Sequence, residues 1–149
     1  MLEGIDLLES IIGAGLFHTD VQILLTDRGS EFTAADAMEI KEDGTRRTRV
    51  YYCDPLQSCQ KGSLENNHIE LRYICPSGTD LRSLGLLDQS DLNTVISHVN
   101  SSPKEKLNGK SPIEYLEFLN PSLMQKFFDF GITKIVKDKV TLKPYLIKK

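Results

Sequence analysis

Two runs of branched and aromatic residues, 21–26 and 47–53, are the clearest strand signals in a chain whose other patterned segments read as helices. Val-Gln-Ile-Leu-Leu-Thr over 21–26 predicts a short buried strand, and residues 47–53, centred on Val50, Tyr51 and Tyr52, predict a second. Leu2, Ile5, Leu8, Ile12 and Leu16 recur every three or four positions and predict a helix over 2–17, with Gly13 and Gly15 weakening and ending its last turn. Residues 33–40 allow a short helix or irregular structure, and Asp43-Gly44 marks a turn. A helix is predicted over 63–75, with Ser63 as N-cap and Leu64, Leu71 and Cys75 as its apolar stripe. Another spans about 89–99, with Leu92, Val95, Ile96 and Val99 apolar. After a polar loop over 100–110, Ser111-Pro112 opens a helix with a cap followed by proline, and residues 122–130 form a further short helix. The stretch 140–146 is short and interrupted by Pro144. This order is α/β, yet two or three strands make a poor sheet by themselves. Either strands are hidden in the loops or part of the sheet is missing.

At 149 residues and 40% hydrophobic, the chain can bury one ordinary core, or part of a larger one, and is not a disordered polymer. No apolar run approaches the ~20 residues of a membrane span, and no secretory signal is visible. A cytoplasmic protein without a membrane partner is expected, with its three cysteines as free thiols. Cys53, Cys59, His68 and Cys75 carry zinc-ligating atoms, but their spacings match no familiar ligand pattern. A net charge of −3 argues against a protein that coats nucleic acid indiscriminately; a local basic patch is still compatible with binding it. Arg46, Arg47 and Arg49 around the second strand's start either contact a DNA backbone or keep a sheet edge soluble. The lysine-rich end, from Lys134 to Lys149, is a solvated tail or a phosphate-contacting one.

Asp27 follows the first strand directly, at the strand end where open α/β sheets place ligands. Glu65 lies 38 positions later, near the start of a helix. Carboxylates at a strand end and a helix start can converge over one sheet edge and hold a hard divalent cation. They can equally be a turn residue and a cap. His68 and Arg72 follow Glu65 by three and seven positions, on one side of the helix, as phosphate contacts or as a surface pair; Lys61 and Asn66 are similar candidates. Asp54 reads as a turn former, and Glu31 and Asp36 as caps of the next segment.

Leu25-Thr26-Asp27-Arg28-Gly29-Ser30-Glu31-Phe32 resembles the segment around the second catalytic aspartate of integrase-core proteins, with Arg28 where asparagine is common. Tyr51-Tyr52-Cys53-Asp54-Pro55 and Gln60-Lys61-Gly62-Ser63-Leu64-Glu65-Asn66-Asn67-His68 resemble the approach to the catalytic glutamate. Ile74-Cys75-Pro76-Ser77-Gly78-Thr79, His98-Val99-Asn100 and Leu107-Asn108-Gly109-Lys110-Ser111-Pro112 follow in order. Together, over nearly the whole chain, they resemble the transposases of IS30-type bacterial insertion sequences.

The resemblance implies an RNase H-like integrase core, truncated before its first sheet strands, over residues 1–120. Residues 121–149 are then a C-terminal extension of a short helix and a basic tail. It implies DNA strand transfer by three carboxylates and two Mg²⁺ or Mn²⁺ ions, with Asp27 and Glu65 as catalytic and metal-binding residues. Lys61, Asn66, His68 and Arg72 then lie against DNA. The implied partners are insertion-sequence ends, target DNA, and a second copy or a full-length transposase, in a bacterial, nucleoid-associated setting. No strand aspartate precedes Asp27, so the chain alone is expected to have little or no transposase activity. The alternative is a non-catalytic module that binds transposon DNA or a full-length transposase.

Overall fold

The computed structural model of the chain describes residues 1–26, 29, 34–54 and 62–148, with the backbone alone for 62–67. The chain divides into two compact units, Met1–Lys61 and Gly62–Lys149. Both are built from helices, and the first holds a small sheet, so the mixed α/β class expected from the pattern is present.

The first unit contains α1 (Leu2–Ile12), α2 (Ala14–Asp20), β1 (Ile23–Thr26), α3 (Ala35–Glu39) and β2 (Arg49–Tyr52). The single helix expected over 2–17 is two helices, and the second runs on to Asp20. Gly13 separates them with φ 87° and ψ 146°, a conformation that only glycine adopts without strain. Its carbonyl then accepts from the Phe17 N–H and starts the next helix. Ile5, Ile12, Phe17 and Met38 are buried, α1 packs on α2 and α3, and α3 packs on β2.

β1 and β2 pair in parallel, with Ile23 opposite Arg49 and Thr26 opposite Tyr52. A parallel pair needs a crossover. Part of this one is α3 and a hairpin closed by the Ile40–Arg46 bridge, at whose turn Asp43 accepts from the Thr45 N–H. The expectation that 21–26 is a buried strand is corrected. Ile23 is 62% exposed and Leu25 43%, and only Thr26 is buried. Among the described residues β1 has one neighbouring strand, and no layer covers the face that carries Ile23, Leu25 and Tyr51.

Arg47 is the polar centre of this unit. Its guanidinium is buried and pairs with Asp6 and with Glu9 at 3.3 Å. It also donates to the Met38 carbonyl at 3.0 Å and the Ala37 carbonyl at 2.9 Å, so one side chain ties α1, α3 and β2 together. Of the two roles open to this arginine in sequence, DNA contact or sheet-edge solubility, it fills neither. Arg47→Met leaves buried acceptors without their donor and is expected to cost roughly 3 kcal/mol. Lys41→Met, which removes a half-exposed partner of Glu9, is expected to cost under about 1 kcal/mol. Urea unfolding of the two variants checks the contrast.

The second unit contains α4 (Gly62–Ile74), α5 (Gln89–Ser101), α6 (Pro112–Leu119) and α7 (Pro121–Asp129), with 3₁₀ turns at Glu105–Leu107, Lys137–Lys139 and Pro144–Ile147. Ser63 is not the cap of α4, because the helix begins one residue before it. Ile74 is fully buried, and Leu71 and Cys75 pack half-buried around it; Leu64 is among the residues described by backbone alone. Ser111 and Glu114 form the capping box of α6, with Pro112 in its first turn. Asp88 and Asp91 do the same for α5, which extends through Ser101 into the stretch read as loop.

α5 lies between two apolar clusters. Val95 and Val99 join Ile74, Leu84 and Ile147, while Ile96 packs on Ile113, Met124 and Ile132. Leu92, expected on the apolar face, is 38% exposed. Its place is taken by a polar seam. Ser97 and Ser101 accept from the Thr133 and Ile135 N–H groups at 2.9 Å, and Asn93 donates to the Phe130 carbonyl at 2.9 Å. These contacts satisfy an irregular segment that has no strand partner among the described residues.

His98 closes the seam, its Nδ1 accepting from the Thr141 N–H at 3.0 Å. Burial holds its pKa below the ordinary 6.5, so the neutral ring is the folded form. The unfolded chain therefore binds more protons, and stability is complete above 6.5 and falls as the pH drops below it. The thermal midpoint is expected to fall from about pH 7 to about pH 5. His98→Gln is expected to flatten that part of the curve. Glu39, Asp43 and Glu114, held low by backbone N–H groups, lose their contribution only below 4.5.

Candidate functional site

Asp27 and Lys61 lie outside the described residues. The backbone leads to Asp27, because β1 ends at Thr26, and the register of β1 with β2 brings both strands to their carboxyl ends together. The Cys53 N–H continues the pairing by donating to the Thr26 carbonyl at 2.8 Å, and Asp54 follows, exposed. The Thr26 hydroxyl at this end is buried without a hydrogen-bond partner among the described residues. Glu65 and Asn66 are on α4, described by their backbone, and Glu65 is in the helix's first turn. Asp27 belongs to the first unit and Glu65 to the second.

His68 and Arg72 are the two predicted site residues whose side chains the structure places. Both are exposed, and four positions of α-helix put them on one side. Neither is engaged in an ion pair or side-chain hydrogen bond among the described residues. Ile69 and Tyr73 are exposed next to them, at 44% and 57%. The remaining sides of α4 have other work. Ile74 and Leu71 face the core, and Glu70 pairs with Lys104 in a largely buried ion pair. The helical period places Ile69 on the same face as Glu65, His68 and Arg72, off the apolar stripe, whereas nothing in the sequence singles out Tyr73.

Among the described residues there is no group of three His, Cys, Asp or Glu side chains able to hold a metal. Cys53 is buried and Cys75 half-buried, both free; burial pushes the Cys75 thiol up, away from the reactive thiolate. Cys59 lies outside the described residues. No described helix is long and apolar enough to cross a membrane.

Compared with known proteins, nearly two thirds of the chain is homologous to insertion-sequence transposases. It is 34% identical over 95 residues to the transposase for insertion sequence element IS1086 of Cupriavidus metallidurans, a stretch that is 64% of this chain and 26% of that protein. It is 31% identical over 94 residues to the transposases InsI for the elements IS30A and IS30C of Escherichia coli, covering 63% of this chain and 23% of each. The IS30-type resemblance read from the motifs is borne out, over a shorter stretch than nearly the whole chain. The chain spans about a quarter of the length of the curated relatives it matches. No family model matches it, and no solved structure does.

Proposed function

We propose that this chain is part of an RNase H-like catalytic core of a transposase that acts on DNA phosphodiesters, with Asp27 and Glu65 as two of its metal-binding carboxylates. The observation that carries the reading is the homology to IS30-type transposases. The parallel β1–β2 pair supports it, because its carboxyl end leads straight into Asp27, where sheets of this class place their chemistry. The donor set is all carboxylate oxygen, which suits Mg²⁺ or Mn²⁺. Divalent ions held there supply activation of an attacking oxygen and stabilisation of the leaving one. The protein's own part is to hold two fixed negative charges and to position DNA. His68 and Arg72, exposed on α4 beyond Glu65, suit backbone phosphates, and Lys61 and Asn66 remain further candidates for such contacts.

The test is a chimera in which residues 1–149 replace the corresponding segment of an IS30-type transposase. Metal-dependent strand transfer by the chimera, lost in Asp27→Asn and in Glu65→Gln, is the expected result. Strand transfer that survives Glu65→Gln overturns the assignment. A second reading, a non-catalytic module that binds a transposase, is favoured by the uncovered face of Ile23, Leu25 and Tyr51. Co-purification with a full-length transposase, without activity in the chimera, would select it.

A further inference from the structure

The amino ends of β1 and β2, within the first unit, border a cleft of about 520 Å³ lined by His18, Thr19, Gln22, Ile23 and residues 46–49. The chain is acidic overall, yet among the described residues no carboxylate lines this cleft, and three of the chain's six arginines do. Arg47 is already committed to Asp6 and Glu9. Arg46 is held by Glu39, whose other oxygen accepts from the Val50 N–H at 2.8 Å, so its guanidinium is fixed beside the strand start. Arg49 is exposed and makes no ion pair or side-chain hydrogen bond among the described residues. The walls are braced. The Arg49 N–H donates to the Gln22 carbonyl at 3.0 Å, and the Gln22 side-chain amide donates to the Thr19 carbonyl at 3.0 Å. Thr48 is 3% exposed, and its hydroxyl is buried with no partner among the described residues. A buried donor left unpaired beside a basic cleft is a cost that a ligand oxygen removes.

We propose that this cleft is a phosphate-binding site that takes a backbone phosphodiester of DNA, with Arg49 and Arg46 as guanidinium donors, the Thr48 hydroxyl as wall donor and His18 at the rim. Arginine forks match the paired oxygens of a phosphate. The site is at the opposite strand ends from Thr26, the residue before Asp27 in sequence, so it contributes affinity and register and takes no part in bond cleavage. The choice of DNA as the phosphate's source rests on the function proposed above; the anion chemistry stands on the cleft.

The test titrates the full chain into two duplexes of about 20 base pairs and unrelated sequence, across a range of salt. Arg49→Gln is expected to weaken both duplexes alike, by about tenfold, and to reduce the log–log salt slope by about 0.9. Thr48→Val is expected to weaken both by a smaller factor with the slope unchanged. Unchanged affinity and slope in Arg49→Gln overturn the proposal, as does failure of the wild type to bind either duplex. Inorganic pyrophosphate separates the sources. If it shifts the Arg49 and Thr48 amide resonances while duplex binding ignores Arg49→Gln, the cleft takes a free phosphate and the DNA assignment is wrong. Because Arg49 is exposed, its variant is expected to unfold at the wild-type temperature. Mn²⁺ binding by Asp27 and Glu65 is read separately, so a failure of one site is distinguishable from a failure of the other.

Discussion

Gly85→Ala is expected to destabilise the second unit by about 4 kcal/mol and to release its C-terminal end. Gly85 has φ 98°, which strains any L side chain, and a Cβ there would lie 2.1 Å from the Ile147 carbonyl oxygen. The obstacle is backbone, so no rotamer change relieves it. Relief requires moving the Pro144–Ile147 turn, and Ile147 is 4% exposed in the cluster with Ile74, Leu84, Val95 and Val99. Expelling it opens a cavity in that cluster, a loss comparable to truncating a buried isoleucine. Two measurements separate this from strain alone. Chymotrypsin is expected to cleave after Tyr145, within that turn, much faster in the variant. In a chain ending at Leu142, Gly85→Ala is expected to cost only the strain, about 1–2 kcal/mol.

The second large effect concerns the carboxylates. Glu65→Gln, or Asp27→Asn, in the chimeric transposase is expected to reduce strand transfer more than ~100-fold, beyond what loss of an outer-shell partner of a metal site costs. Each substitution keeps size, replaces one acceptor oxygen by an amide donor and removes one negative charge. A change confined to folding would lower the thermal midpoint as well, and that midpoint is expected to stay put. His68→Ala and Arg72→Ala, which remove phosphate contacts in this account, are expected to weaken DNA binding while Mn²⁺ binding persists.

Much of the fold is legible in the residues, and the exceptions have physical causes. The caps are local chemistry, so Ser111-Pro112 and Asp88 mark their helices. Gly13 announces a break, but not that the chain bends there and resumes as α2, which depends on packing around Phe17. Residues 21–26 look buried because branched apolar residues usually are; here the face of Ile23 and Leu25 is uncovered, a tertiary fact. The seam on α5 was hidden because Asn93, Ser97 and Ser101 are polar, although their spacing of four was a readable signal. The lysine-rich end reads as a tail by charge, whereas Leu142, Leu146 and Ile147 pack into the core without a helical or strand period to reveal them. For the site, spacing could only suggest that Asp27 and Glu65 act together; the surrounding motifs supplied the reason, and exposure on α4 adds His68 and Arg72 as available groups.

The central claim is that Asp27 and Glu65 serve one divalent cation. Its most direct measurement is a Mn²⁺ titration of the full chain by water-proton relaxation, for wild type, Asp27→Asn, Glu65→Gln and the double variant. The account predicts that each single substitution weakens binding at least about tenfold and that the double is no weaker than either single, as residues of one shared site behave. Singles that bind Mn²⁺ like wild type, or small losses that simply add, would contradict it.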